Sequence, residues 1–184
     1  MNFIIFLIII AVPLMSEMKI DFGKDKAGAE WIVINDGVMG GRSNGSMLLK
    51  ENSFVFKGNI STANNGGFST VRSRFGSFEL SGFTKVLVRY KAQGHSFSMT
   101  LEDQKPFNTP YYKIEMPGET GKWQTAEMKL AKFAEYILGR ETGKYLNEDK
   151  LDKIIRLGFI NTGKKDAEFS LEVDYIIFKY RVGG

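Results

Sequence analysis

A chain of 184 residues with 43% apolar side chains is long enough to bury one core and short for two. Its 25 basic and 21 acidic residues leave a formal charge of +4 with no basic block, a distribution that argues against nucleic acid as a partner. The absence of cysteine rules out disulfides, thiolate metal sites and cysteine nucleophiles, and the single histidine, His95, rules out a multi-histidine metal centre. No cofactor and no transition-metal site are expected, and calcium held by Asp and backbone oxygens stays open.

In chain order, the first feature is an apolar run from Phe3 to Met15, the length of a signal-peptide core and less than a bilayer span. Residues 1–16 are therefore read as a signal peptide or N-terminal anchor, and residues 17–184 as a single β-sandwich domain. Export to the periplasm or beyond follows, with membrane association only through the N-terminal segment if it stays uncleaved. No Lys or Arg precedes the run, and bulky Leu14 stands at the third position before a cleavage after Ser16, so a cytoplasmic protein starting at Met18 is the alternative.

Short apolar or alternating runs follow, broken by Gly, Asn, Asp and Ser, which is the pattern of antiparallel strands joined by turns. Trp31 opens one of them, where its ring is expected to fill a core edge. The next stretch, NDGVMGGRSNGS, packs four glycines, two asparagines, an aspartate and an arginine between Asn35 and Ser46. A phosphate loop needs four residues between its first glycine and Gly-Lys-Ser/Thr. Here three residues separate Gly37 from Gly41, Arg42 stands in place of lysine, and no helix-forming sequence follows to attract an anion. The stretch reads instead as a structured loop held against NNGGFSTVR, its glycines allowing close approach. Asn35, Asp36, Arg42, Ser43, Asn64, Asn65 and Arg72 form the expected rim of a surface for a partner or ligand. Asn44–Gly45 predicts a type I′ hairpin turn. Arg42 and Arg72 are expected to pair with Asp36 or Asp174, or else to contact a partner or an anionic ligand.

Further along, SMLLK and SFVFKGN flank Glu51–Asn52 as a hairpin, and FSTVRSRF sets Phe68, Thr70 and Arg72 against Ser69, Val71 and Ser73. TKVLVRYKA sets Val86, Val88 and Tyr90 against Leu87, Arg89 and Lys91, and SFSMTLE, YYKIEM and WQTAEMKL continue the series. Tyr111 and Tyr112 must face opposite sides. Trp123, like Trp31, is placed at a core edge. Helical signal is confined to Ala131–Leu138 and to NEDKLDKII, where Asn147 caps a short turn before Leu151 and Ile154. RLGFIN and EFSLEVDYIIFKY end the series; in the latter, alternation runs to Tyr175 and the doubled Ile176–Ile177 breaks its phase, as a bulge or burial on both faces does. Roughly ten strands with short connections and no strand–helix rhythm predict an all-β sandwich.

No catalytic site assembles from these residues. Gly-x-Ser-x-Gly is missing, and His95 would serve any serine alone. Glu102, Asp103 and Asp174 are candidate carboxylates, but adjacent strand residues point to opposite faces and nothing pairs one across a cleft with another. The chain is read as non-enzymatic. Tyr111, Tyr112, Trp31 and Trp123 keep a sugar-stacking platform open as an alternative.

Trp31 followed by NDGVMGGRS, then FKGNISTANNGGFSTVRSRF, then Trp123 with Leu138–Gly139–Arg140, then LDKIIRLGFI and FSLEVDYI occur in that order. Together they resemble the complex I intermediate-associated protein family, over nearly everything from Asp21 to Phe178. The resemblance implies a galactose-binding-domain-like jelly-roll β-sandwich without catalytic residues. It also implies an assembly or chaperone-like factor, since mitochondrial relatives accompany membrane-arm intermediates of NADH:ubiquinone oxidoreductase. The chain looks like the short bacterial type, and a protein partner in a respiratory or envelope complex is expected. A carbohydrate-binding module is the alternative, because the fold alone does not decide function.

Overall fold

The structure, a computed structural model, describes residues 17–118, 121–162 and 165–180. The apolar run Phe3–Met15 and the expected boundary after Ser16 lie outside the described residues. Among the described residues are thirteen strands: β1 (Glu17–Asp21), β2 (Ile32–Asn35), β3 (Asn44–Leu49), β4 (Phe54–Ile60), β5 (Phe68–Arg72), β6 (Phe83–Gln93), β7 (Phe97–Glu102), β8 (Tyr111–Glu115), β9 (Gln124–Lys129), β10 (Ala134–Ile137), β11 (Arg140–Tyr145), β12 (Arg156–Thr162) and β13 (Ala167–Tyr180). One sheet runs β3-β4-β13-β6-β9 with β1 also on β13, and the other, seven-stranded, runs β11-β10-β8-β7-β12-β5-β2. Helical structure is limited to short 3-10 turns.

The 14-residue β13 is the spine of the first sheet. Its residues 167–173 pair with β4 and 175–179 with β1, while β6 runs along the other edge. The register on β6 slips at Asp174, from Val173↔Tyr90 to Tyr175↔Arg89. One extra residue reverses the alternation, so Leu171 and Val173 before it and Ile176 and Phe178 after it all point inward and are fully buried. The bulge expected from Ile176–Ile177 is thus real and lies two residues earlier.

The inward faces of the two sheets meet in one apolar core. Phe54, Phe56, Val86 and Val88 from the first sheet face Val71, Met99, Leu101, Leu157 and Phe159 from the second, each contributing about 1.5–3 kcal/mol through burial. Trp31 fills the edge as expected, edge-on to Phe22 at 5.1 Å and stacked on Phe159 at 5.9 Å.

Four expectations are corrected. Asn44–Gly45 is not a hairpin turn: neither residue has positive φ, and both pair within the sheet, opposite Asn59 and Gly58. Gly45 is needed for room, since a Cβ there would overlap Ser69 Oγ. A two-residue turn with positive φ at both positions occurs instead at Leu138–Gly139, with φ of 48° and 78°, between Ile137 and Arg140. That turn also explains why Ala131–Leu138 is not helical. Ala134–Ile137 is a strand whose first three residues pair with Tyr111–Lys113, and a single 3-10 turn, Leu130–Lys132, precedes it. Asn147 precedes the 3-10 turn Glu148–Lys153 without a side-chain capping bond. Trp123 is 40% exposed, because Ala126 and Met128 take the inward positions and its ring falls on the outer face beside Arg89 and Lys91.

Candidate functional site

The two motif loops do meet, and Asp36 joins them. It opens the 3-10 turn Asp36–Met39 after β2, and its side chain is turned inward, leaving 1% exposure. One carboxylate oxygen accepts the Ser43 amide at 2.9 Å; the other accepts the Ser43 hydroxyl at 2.5 Å and the amides of Gly67 at 2.6 Å and Phe68 at 3.3 Å. Glycines make the room: a Cβ on Gly41 would overlap the carboxyl carbon, and one on Gly66 would lie 2.6 Å from Oδ2. Burial opposes the charge, but the Ser43 hydroxyl and the amides of Gly67, Ser43 and Phe68 outweigh it and hold the carboxyl below its ordinary value. Asn35 accepts from the Ser69 hydroxyl at 2.5 Å and donates to the Gly45 carbonyl at 3.3 Å. Asn64, at φ 56°, donates to the Gly40 carbonyl at 3.1 Å, and the Ser43 hydroxyl accepts the Ser61 amide at 3.0 Å.

Of the seven expected rim residues, Asn35, Asp36, Ser43 and Asn64 are brought together, three of them as internal ties rather than as open surface. The side chain of Asn65 lies outside the described residues. Arg42 is exposed and has no ion pair among the described residues, because Asp36 already accepts four hydrogen bonds from uncharged donors. Asp174 pairs with Arg89 at 3.2 Å. At the tip of the loop, Val38 and Met39 are each 76% exposed. No periodicity marked them; their place beside the glycines was the available signal.

Arg72 belongs elsewhere, on the outer face of the seven-stranded sheet. There Ile32, Arg72, Gly158, Thr100, Lys113, Ala134 and Tyr145 form one row across all seven strands. Arg72 on β5 reaches over β12 to Glu102 on β7, with Nη1 3.2 Å from the carboxylate, and its Nε donates to the Thr70 hydroxyl at 3.2 Å. Gly158 permits the crossing, since a Cβ there would lie 3.1 Å from the Arg72 stem and 2.8 Å from Thr100 Oγ1. Arg156 approaches the other oxygen of Glu102 at 3.5 Å, and its guanidinium lies 3.5 Å from the centre of the Phe75 ring. Burial lowers the Arg156 pKa, and the Glu102 carboxylate partly restores it. Nearby, Tyr111 and Tyr136 are 5.9 Å apart with Lys113 Nζ 4.0 Å over the Tyr136 ring.

The carboxylates weighed for catalysis are separately engaged: Glu102 by two arginines, Asp103 by Lys150 at 3.0 Å, and Asp174 by Arg89. His95 lines a small cavity of about 160 Å³ with Tyr90 and Glu115. A larger cleft of about 480 Å³, lined by Phe83, Leu130, Leu151 and Tyr180, contains none of the rim residues. Among the described residues, no group of three His, Asp or Glu is placed to hold a metal ion.

Residues 20–173 match the family model described as complex I intermediate-associated protein 30. The chain belongs to this family. Among solved structures it is similar to a family 11 carbohydrate-binding module from Clostridium thermocellum, in complex with a β-1,3-1,4-mixed-linked tetrasaccharide, at TM-score 0.64 and 16% identity over 91% of this chain and 98% of that one. The family 11 module of the cellulosomal cellulase Lic26A-Cel5E of the same organism gives TM-score 0.64 and 13% identity over 91% and 97%. The agarase AgWH50C matches at TM-score 0.58 and 11% identity over 92% of this chain and 25% of its own. Likeness at these identities concerns the fold, and it is the expected jelly-roll, galactose-binding-like sandwich. In this complex I intermediate-associated protein 30 family member, the GGRS and NNGGF segments that carry the resemblance are the two halves of the Asp36 tie.

Proposed function

We propose that this family member is a non-enzymatic binding domain that holds a protein partner, as an assembly factor does, through the tip of the Asp36-anchored loop. The observation that carries the reading is the pair Val38 and Met39, 76% exposed on a loop whose base is fixed by a buried carboxylate. A loop whose base is already tied by Asp36 has less backbone freedom to lose when it docks, and methionine adapts to irregular pockets. Arg42 beside them adds an exposed cation, so the partner surface is an apolar pocket flanked by carboxylate. The family description supports a partner from a respiratory complex. The apolar segment Phe3–Met15 supports an exported or membrane-tethered location beside such a complex. Pull-down from native membranes with mass spectrometry tests the reading: subunits of a respiratory or envelope complex are captured by the wild type and lost with Val38→Asp/Met39→Asp at unchanged thermal midpoint. Equal capture by the double variant sinks it.

Carbohydrate binding is a second reading, favoured by the Tyr111–Tyr136 pair on the outer face of the seven-stranded sheet. The likeness to a module solved with a tetrasaccharide supports the same reading.

A further inference from the structure

We infer that the outer face of the seven-stranded sheet binds an acidic oligosaccharide, with a uronate carboxylate seated at Arg72 and Arg156 and the sugar chain running past Lys113 toward Tyr111 and Tyr136. This rests on the carbohydrate reading and goes beyond it by naming the charge of the ligand.

Charge balance is the first ground. Arg72 and Arg156 share the single carboxylate of Glu102, at 3.2 and 3.5 Å, so the cluster keeps a surplus positive charge. Its guanidinium groups are already oriented, one by Thr70 and the other by the Phe75 ring, so an anion meets them without further ordering. Lys113 lies two strands beyond Gly158 in the same row and has no carboxylate within ion-pair distance among the described residues. Burial lowers the Lys113 pKa, and the Glu141 and Glu115 carboxylates only partly offset it.

Unfilled hydrogen-bonding capacity is the second ground. Thr100 Oγ1 and Arg156 Nε, on residues 3% and 8% exposed, have no hydrogen-bond partner, although buried polar groups ordinarily find one. Arg156 flanks Gly158 on β12, and Thr100 stands between Gly158 and Lys113 in the row. The shape of the ligand follows from position. The site occupies β5, β12, β7, β8 and β10 in the interior of the sheet, where backbone donors and acceptors are spent on the ladders. An extended peptide, which binds by adding a strand to a free edge, has nothing to pair with here. Recognition falls to side chains: guanidinium forks for a carboxylate, Lys113 for hydroxyls, and tyrosine rings for the C–H face of a sugar.

Isothermal titration of the full chain distinguishes the outcomes. The probes are tetrasaccharides of galacturonate, glucuronate and mannuronate beside a neutral β-1,3-1,4-glucan tetrasaccharide. Binding of at least one acidic probe is expected at tenfold or more above the neutral one, with affinity falling as salt rises. Lys113→Gln, a half-buried position outside the Glu102 cluster, and Arg72→Gln should each weaken the acidic probe about tenfold while the far-ultraviolet spectrum stays unchanged. Equal binding of acidic and neutral probes would overturn the charged ligand and keep the carbohydrate reading. Binding of none would overturn both. Acid-selective binding unaltered by either substitution would overturn the placement on this face.

Discussion

Asp36 and Glu102 are both buried carboxylates, and they are satisfied in opposite ways. Asp36 is closed by uncharged donors, three amides and one hydroxyl, all supplied by the two glycine-rich loops. Glu102 is closed by two guanidinium groups from β5 and β12. Neutral donors leave the carboxylate's charge in place and fill its lone pairs, so Asp36 acts as a tie with nothing left to offer. Two cations overcompensate one anion, so the Glu102 cluster retains charge and an unfilled donor. A buried carboxylate therefore marks a structural joint in one region and leaves surplus positive charge on a sheet face in the other, and the kind of donor around it decides which.

The largest expected effect tests the joint. Asp36→Asn turns a side-chain NH₂ toward the amides of Gly67 and Phe68 and should destabilise the domain by about 2–4 kcal/mol, measured by urea unfolding. Because the folded-state pKa of Asp36 is depressed, its contribution is present above the ordinary carboxylate value and is lost as pH falls through the folded value. The wild type should therefore lose more stability on acidification than Asp36→Asn; parallel pH profiles would contradict the role.

An intermediate effect tests the crossing. Gly158→Val places carbon within about 3 Å of Thr100 Oγ1 and the Arg72 stem, so overpacking should cost about 1–3 kcal/mol and detach Arg72 from Glu102. If the Gly158→Val variant keeps wild-type stability in the same urea titration, Arg72 has another path to Glu102. The smallest effect separates tip from base. Arg42→Ala should stay within about 0.5 kcal/mol of wild-type stability while weakening capture of the protein partner. A large loss of stability there would show Arg42 to be part of the tie.

Much of the architecture was readable from alternation alone. Val86, Val88 and Tyr90 point inward as expected, Tyr112 is buried while Tyr111 faces out, and the Lys50–Ser53 hairpin closes around Glu51–Asn52. The errors share a cause. Asn44–Gly45 has the composition of a turn, yet its glycine answers to Ser69 and Phe56, which arrive from other strands. Leu138–Gly139 lacks the usual turn composition for its first residue, yet the pairing of Ile137 with Arg140 forces positive φ on both.

The same division runs through the candidate sites. By itself the sequence determined that GGRS and NNGGF would form a joined pair of loops, because glycine, aspartate and asparagine encode close approach and capping within a few residues of one another. Only the tertiary structure decided that Asp36 would be consumed inside that joint, that Val38 and Met39 would be left at its tip, and that Arg72 would lie on a different face. Strand order is the physical reason: Arg72, Gly158 and Glu102 become neighbours only because β12 inserts between β5 and β7, and side-chain periodicity specifies which face a residue takes but not which strand stands beside it.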